Sequence, residues 1–326
     1  SEFQESANAV ARNHLLVLPS RRVFNPYFAR SVTTRDDYMT HIGFPAQRTA
    51  TVDQFAFRLF ALEKKPEAFN AVLAKVVSPA PVWSIDQMDS GQYFLKIRKD
   101  DSTHSSEGLG EGLVSLLFII DALYDSADGD CIAIDEPELS LHPALQRKLA
   151  SLLVEYSATR QIILATHSPY FTVIDALGSG ATIARIHLKS GSSTISQVSP
   201  TVAAALPKLI RDQNNPHVLG LDAQEIFFIE DNVILLEGQE DVVFFPHIAG
   251  ALCPGITATF YGWGVGGADK MITITQLLFE LGFARVAGIL DANKSEVATA
   301  LSETFPDYKF DVIPANDVRT KRARPA

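Results

Sequence analysis

Apolar residues along the chain fall into short runs of two kinds, and the balance between them changes near residue 108. Before it, Leu15-Leu16-Val17-Leu18 is a continuous apolar run that predicts a buried strand, and it leads into the basic loop Pro19-Ser20-Arg21-Arg22. Residues 52–76 carry helical spacing, with Phe55, Leu59 and Leu62 on one face. Trp83 to Met88 and Gln92 to Arg98 flank Asp89-Ser90-Gly91. Tyr93, Leu95 and Ile97 alternate there with Phe94, Lys96 and Arg98, which predicts a β-hairpin.

From residue 108 onward, apolar strands alternate with amphipathic helices. Leu113, Leu116, Leu117 and Ile120 form one helical face. Cys131 to Ile134 reads as a strand, Leu145 to Tyr156 as a helix and Gln161 to Ala165 as a second strand. A hairpin is expected around Ser190-Gly191-Ser192, followed by a polar stretch with Pro207 and Pro216, and a domain boundary near 222–230. After it come strand Val233 to Leu236, a helix from about Glu240, strand Thr257 to Tyr261 and a helix carrying Ile274, Leu277, Leu278 and Leu281. Strand Val286 to Leu290, a helix around Val297 to Leu301 and strand Phe310 to Ile313 complete a doubly wound unit. Pro246 is expected to kink or shorten its helix. The fold class is α/β with parallel sheets, divided into residues 1–225 and 226–326.

Composition narrows the function classes. The chain has 326 residues, 47% hydrophobic and 20% charged, as expected of a protein with a packed core. Its net charge of −10 argues against broad coating of nucleic acid, although a local basic groove is compatible with it. Cys131 and Cys253 sit in apolar neighbourhoods and are expected to be buried free thiols in a reducing compartment. No secretion signal and no membrane span is legible, so a cytoplasmic location without membrane partners is expected. Ser1-Glu2-Phe3 reads as a cloning scar on a piece of something longer.

Two constellations carry chemistry. Cys131 to Pro143 reads CIAIDEPELSLHP, an apolar strand ending in Asp135-Glu136. In a parallel sheet the carboxyl ends of strands line the ligand crevice. An aspartate there can hold Mg²⁺ through water, and the next carboxylate can orient or deprotonate an attacking water. The next apolar strand ends in Ala165-Thr166-His167-Ser168-Pro169, whose histidine suits contact with a γ-phosphate. In the other constellation, VILLEGQED places Glu237 at a strand end and Asp241 one turn into the following helix, and VAGILDANK places Asp291 at a neighbouring strand end. These acids can converge on one Mg²⁺-sized site, or each can simply cap a helix.

CIAIDEPELSLHP resembles the Walker B motif and D-loop of ABC-type ATPases, and ATHSP resembles their switch histidine. SSEGLGEG, from Ser105 to Gly112, resembles their signature motif at a helix start. The resemblance makes Asp135 the Mg²⁺-side carboxylate, Glu136 the catalytic base and His167 the γ-phosphate sensor. Ser106, Gly110, Glu111 and Gly112 become a signature that reaches ATP on an opposite protomer, which implies a homodimer or higher oligomer. Nothing in the sequence matches G-x-x-x-x-G-K-[ST], the phosphate loop of this family. The loop lies outside this sequence, or another chain supplies it, or the site is not a competent ATPase.

Glu237-Gly238 and Asp291 resemble the marks of a Toprim domain, with Gly262-Trp263-Gly264-Val265-Gly266-Gly267 between them. The order of an ATPase lobe and then a Toprim unit, with the ending VIPANDVRTK, resembles OLD-family (overcoming-lysogenization-defect) nucleases. That resemblance implies an ATPase-coupled, Mg²⁺- or Mn²⁺-dependent DNA endonuclease in antiviral defence, with an accessory chain as a candidate partner. Its metal residues become Glu237, Asp241, Asp291 and Asn293. Asn293 stands where the family pattern has a second aspartate, and an amide brings no charge to a cation. The tail residues Arg319, Lys321, Arg322 and Arg324 offer phosphate contacts or a solvated basic end. The alternative is a non-catalytic sensing and dimerisation platform with a degenerate Toprim module. A DNA-clamping ATPase of the recombination-repair type is a third reading, which the Toprim-like half opposes.

Overall fold

The computed structural model describes residues 15–34, 37–38, 52–99, 102–210, 215–229 and 232–316. The chain divides into two compact units, Ser1–His167 and Ser168–Ala326. In the first, β1 (Leu15–Leu18), β5 (Cys131–Asp135) and β6 (Gln161–Ala165) form a parallel sheet in the order β1-β5-β6. Ile132 and Ile134 of β5 are buried, as are Leu16 and Leu18 of β1, which pair with them in register. A second, antiparallel sheet contains β2 (Val82–Gln87), β3 (Tyr93–Lys99) and β4 (Ser102–Ser105). The anticipated hairpin is β2–β3. The polar strand β4, Ser-Thr-His-Ser, carries no apolar alternation and was not legible in the sequence.

Helices α1 (Gln54–Glu63) and α2 (Pro66–Val76) replace the single helical stretch expected over 52–76. Lys65 is held out of the helical region by the ring of Pro66, which then starts α2 from its first position. Helix α3 (Glu111–Asp125) is buried along most of its length and packs on α1, with Phe55 and Phe118 stacked at 3.9 Å. Helix α4 (Pro143–Tyr156) begins after His142, whose ring accepts a bond from Ala144 N, and buries Leu149, Leu152 and Leu153.

In the second unit a short helix, α5 (Ile174–Leu177), precedes the hairpin β7 (Ala184–Lys189) and β8 (Ser192–Gln197). Helices α6 (Pro200–Ile210) and α7 (Leu221–Glu225) follow. A four-stranded parallel sheet then runs β10 (Thr259–Phe260), β9 (Val233–Leu236), β11 (Val286–Leu290) and β12 (Lys309–Val312), neighbours in that order. Between its strands lie α8 (Gln239–Leu252), α9 (Ala268–Glu280) and α10 (Ser295–Thr304).

Ile174, Leu177, Val202 and Leu206 share one core with Val233, Leu235 and Met271. The boundary anticipated near 222–230 therefore falls inside this unit. Strand β10 is shorter than the expected Thr257–Tyr261: its pairing begins at Thr259 N, which bonds Asn232 O at 2.9 Å, and Gly262 (φ +41°) turns the chain just after Tyr261. Helix α8 runs on through Pro246 rather than stopping there. The cysteines are free but not buried as expected: Cys131 is half-buried on β5 and Cys253 is exposed past the end of α8. Among the described residues, no helix is long and apolar enough to cross a membrane. The first three residues and the basic tail from Arg319 lie outside the described residues.

The α1–α3 packing contains a buried charge pair. Arg58 Nε lies 3.1 Å from Asp121 Oδ1, and its terminal nitrogen Nη2 lies 3.0 Å from Asp125 Oδ2, with Asp121 only 1% exposed. Burial lowers the Arg58 pKa, but the two aspartates outweigh it and leave it raised. Removing one partner strands a carboxylate in the core. Arg58→Met is therefore expected to cost about 3 kcal/mol in urea unfolding, and Arg58→Met with Asp121→Leu to recover much of that. A single-variant loss below about 1 kcal/mol would show that water already reaches Asp121.

Candidate functional site

The acidic pair stands where β5 leaves its sheet. Asp135 pairs with Ala165 at the end of the β5–β6 ladder, and Glu136 N donates to Ala165 O at 2.8 Å. Glu136 then takes a positive φ of 47°, uncommon for a residue with a β-carbon. Glu138, two residues on, folds across to β6: its carboxylate accepts from His167 N at 2.5 Å and from Thr166 Oγ1 at 2.8 Å. The expected residues Asp135, Glu136 and His167 thus share one sheet end. Arg22 lies beneath them, 2% exposed, bonded to the carbonyls of Asp135 at 2.7 Å and Glu136 at 2.8 Å.

The glycine-rich helix start reaches the same region. A β-carbon on Gly112 would fall 2.2 Å from Ser140 O, so the first turn of α3 touches the chain just after the acidic motif, backbone to backbone. Ser140 Oγ also donates to Glu111 Oε2 at 3.2 Å. Gly110 is different. It sits at the N-cap with φ −65°, and nothing lies within 4 Å of where its β-carbon would be. Ser106 is buried and its hydroxyl donates to Pro26 O at 2.5 Å, so it faces the interior rather than an incoming ligand.

In the second unit, Glu237 and Asp291 end adjacent parallel strands, with Ile289 of β11 in register with Leu236 of β9. Glu237 Oε1 accepts from Asp291 N at 2.8 Å. Burial raises the Glu237 pKa, the Asp291 N–H bond opposes this, and the charge of Asp291 adds to the rise; Lys294 lowers it and Asp241 raises it. Asp241 Oδ2 accepts from Gly238 N at 2.9 Å and so caps α8, one of the two roles left open for it. Asn293 is exposed in the turn after β11, and Lys294, not Asn293, is the N-cap of α10. Above these acids runs the Gly262–Gly267 loop. Gly267 N donates to Glu237 O at 2.9 Å, and a β-carbon on Gly264 (φ +84°) would meet Gly238 O at 2.7 Å.

Among the described residues, no group of three or more His, Cys, Asp or Glu is arranged to hold a metal ion. The four-residue set Glu237, Asp241, Asp291 and Asn293 is thus not gathered on one point, because Asp241 turns back onto its own helix start. Glu237 and Asp291 still fit Mg²⁺, which is commonly held by one or two carboxylates together with water and a substrate phosphate. Sequence reasoning missed Arg22 and Glu138. Both stand within the strings singled out, Pro19-Ser20-Arg21-Arg22 and Asp135-Glu136-Pro137-Glu138, but nothing in those strings says which side chain turns inward.

Acids at parallel strand ends, a histidine beside them and a glycine-rich helix start meet at one end of an α/β sheet. Residues 8–173, half of the chain, match the family model described as "AAA domain, putative AbiEii toxin, Type IV TA system", and the chain belongs to that family. No curated protein matches it. Similar solved structures include one described under "Structural biochemistry of ATP-driven dimerization and DNA stimulated activation of SMC ATPases", 19% identical with a TM-score of 0.35, covering 49% of this chain and 98% of that one. An Smc head domain with a coiled coil and joint from Pyrococcus yayanosii is 19% identical with a TM-score of 0.34, over 48% of this chain and 30% of that one. The SMC head domain from Thermotoga maritima is 18% identical with a TM-score of 0.31, over 45% and 51%.

Two outcomes follow from this geometry. Gly112→Ala should lose about 1–3 kcal/mol despite alanine's better helix propensity, because the Ser140 carbonyl blocks the methyl; Gly110→Ala, into open space, should change stability by less than about 0.5 kcal/mol. Comparable urea midpoints for the two variants would refute the close approach. For Glu237, a raised pKa means that the folded state binds its proton more tightly than the unfolded state does. Stability should therefore fall as pH rises from the ordinary value of 4.5 through the folded pKa. Glu237→Gln should remove that fall, and an unchanged pH profile of unfolding in this variant would exclude a raised pKa.

Proposed function

We propose that the chain is an ATP-coupled, divalent-metal-dependent DNA endonuclease of the OLD type, its second unit a Toprim-like domain and its role antiviral defence in the cytoplasm. The observation that carries the nuclease reading is the meeting of Glu237 and Asp291 at the carboxyl ends of adjacent parallel strands. In the first unit, Asp135 would hold Mg²⁺ through water, Glu136 would take a proton from the attacking water and His167 would contact the γ-phosphate. Gly110, Glu111 and Gly112 open α3 and would face ATP on a second protomer, making the working form a homodimer or larger. The open space over Gly110 supports this use. Glu138 would hold His167 in place through the backbone.

In the second unit, Glu237 and Asp291 would hold Mg²⁺ or Mn²⁺ against a DNA phosphate. The bound ion would supply Lewis-acid stabilisation of the phosphodiester transition state. Asp241 already spends Oδ2 on Gly238 N, so it could join them through Oδ1 alone. A second reading, a non-catalytic sensing platform with a degenerate Toprim module and an accessory chain as partner, is favoured by the use of Asp241 as a cap.

Calorimetry with Mn²⁺ separates the two readings. The wild type should bind weakly, Asp291→Ala not at all, and Asn293→Asp more tightly by about tenfold, since a carboxylate replaces a neutral amide near the site. DNA nicking should follow the same order and be stronger in Mn²⁺ than in Mg²⁺. Undetectable binding by all three proteins would decide for the non-catalytic platform.

A further inference from the structure

Arg22 is almost wholly buried, yet its hydrogen bonds go to neutral groups. Nε donates to Ser115 Oγ at 2.8 Å, Nη1 to Pro19 O at 2.6 Å and Asp135 O at 2.7 Å, and Nη2 to Glu136 O at 2.8 Å. Burial pulls its pKa down to about 10, with the charges of Asp135, Glu138 and Glu136 pulling the other way, so it keeps its proton at neutral pH. A buried cation satisfied by carbonyls fixes backbone, since its planar fork imposes direction on each acceptor. The peptide groups flanking Glu136 are held at both ends: its N–H by Ala165 O and its carbonyl by Arg22. Between those anchors Glu136 sits at φ +47°, a conformation that costs a residue with a β-carbon roughly 1–2 kcal/mol.

We propose that Arg22 is a positioning residue: its guanidinium holds Glu136 in the left-handed conformation, sets the direction of that carboxylate, and ties it through Ser115 to the glycine-rich start of α3. The inference rests on the ATPase reading only in taking Glu136 as the group whose direction matters to chemistry. It gives α3 and the acidic strand end a shared anchor, so a shift of one is felt by the other.

The test compares Glu136→Gly with Glu136→Ala. Both remove the carboxylate, and they differ in whether residue 136 can hold a positive φ at little cost. With Arg22 present, the glycine form should exceed the alanine form in its folded-to-unfolded ratio by about fivefold in urea titrations. With Arg22→Lys, which keeps the charge and loses the fork, the two should agree within about twofold. An undiminished difference in the Arg22→Lys background would overturn the proposal, because the turn alone would then hold residue 136. Should Arg22→Lys fail to fold, Ser115→Ala provides the second arm. It removes one bond only, so amide exchange should quicken in residues 111–117 while the glycine–alanine difference persists. Collapse of that difference in Ser115→Ala would also overturn the proposal, assigning the conformation to helix packing. Binding of a non-hydrolysable ATP analogue, measured on the same proteins, reports on the ATPase reading separately. Its absence would count against that reading and leave the stability differences unaltered.

Discussion

The first unit depends on how strand β5 ends. While β5 runs between β1 and β6, its peptide groups are paired on both sides. At Asp135 the ladder stops, and the chain must turn sharply while its carbonyls are still shielded from water. Buried carbonyls left without a donor cost about 1–3 kcal/mol each. Arg22 meets this demand with a fork that reaches two successive carbonyls at once. The acidic side chains are thereby left on the outer side of the turn, because the inner side is occupied by the cation. The direction of these acids is in this sense a by-product of satisfying a strand end.

The second unit faces the same problem at Glu237 and solves it without a charge. Here the Gly262–Gly267 loop lies over the strand end, and Val265 N and Gly267 N donate to Leu236 O and Glu237 O at 2.9 Å each. Such a close approach is open only to a residue without a β-carbon, which is why Gly264 meets Gly238 backbone to backbone. Neutral amides satisfy the carbonyls but bring no compensating cation. The partly buried Glu237 carboxylate therefore has its pKa raised, and a divalent ion or a proton would relieve it. The two strand ends look alike in sequence, yet they differ in what they ask of a ligand.

How much of this was legible follows from which interactions are local. Strands Gln161–Ala165, Val233–Leu236 and Val286–Leu290 were readable to the residue, since continuous apolar runs bounded by polar residues leave little freedom. Strand β4 was not, because Ser-Thr-His-Ser owes its conformation to pairing with β3 and not to its own pattern. The expected boundary near 222–230 rested on the polar stretch with Pro207 and Pro216, while apolar residues before that stretch, Ile174 to Leu206, enter the core of the second unit. The placement of Asp135, Glu136, His167, Glu237 and Asp291 at or just past strand ends was readable, because each follows a continuous apolar run. Arg22 was not, because three of its four partners, Ser115, Asp135 and Glu136, lie 93 to 114 residues away in sequence. Nor does a sequence say whether a carboxylate at the third helical position turns forward to a metal or back to a cap, and Asp241 turns back.

That last point bears on what kind of metal site the second unit can offer. A capping bond of this type is worth about 1 kcal/mol. An ion recruiting Asp241 through its other oxygen must accept the direction that the cap gives the carboxylate, and an ion needing both oxygens must break that bond. An ion using only Glu237 and Asp291 avoids this cost but keeps most of its water, and then needs the negative charge of a substrate phosphate to complete its shell. On the proposed nuclease reading, both routes would lead to an ion that binds poorly alone and better with nucleic acid present. A site with that property would be quiet until DNA arrives. The lost charge at Asn293 works in the same direction, so the cap and the amide together fit a conditional site better than one permanently loaded.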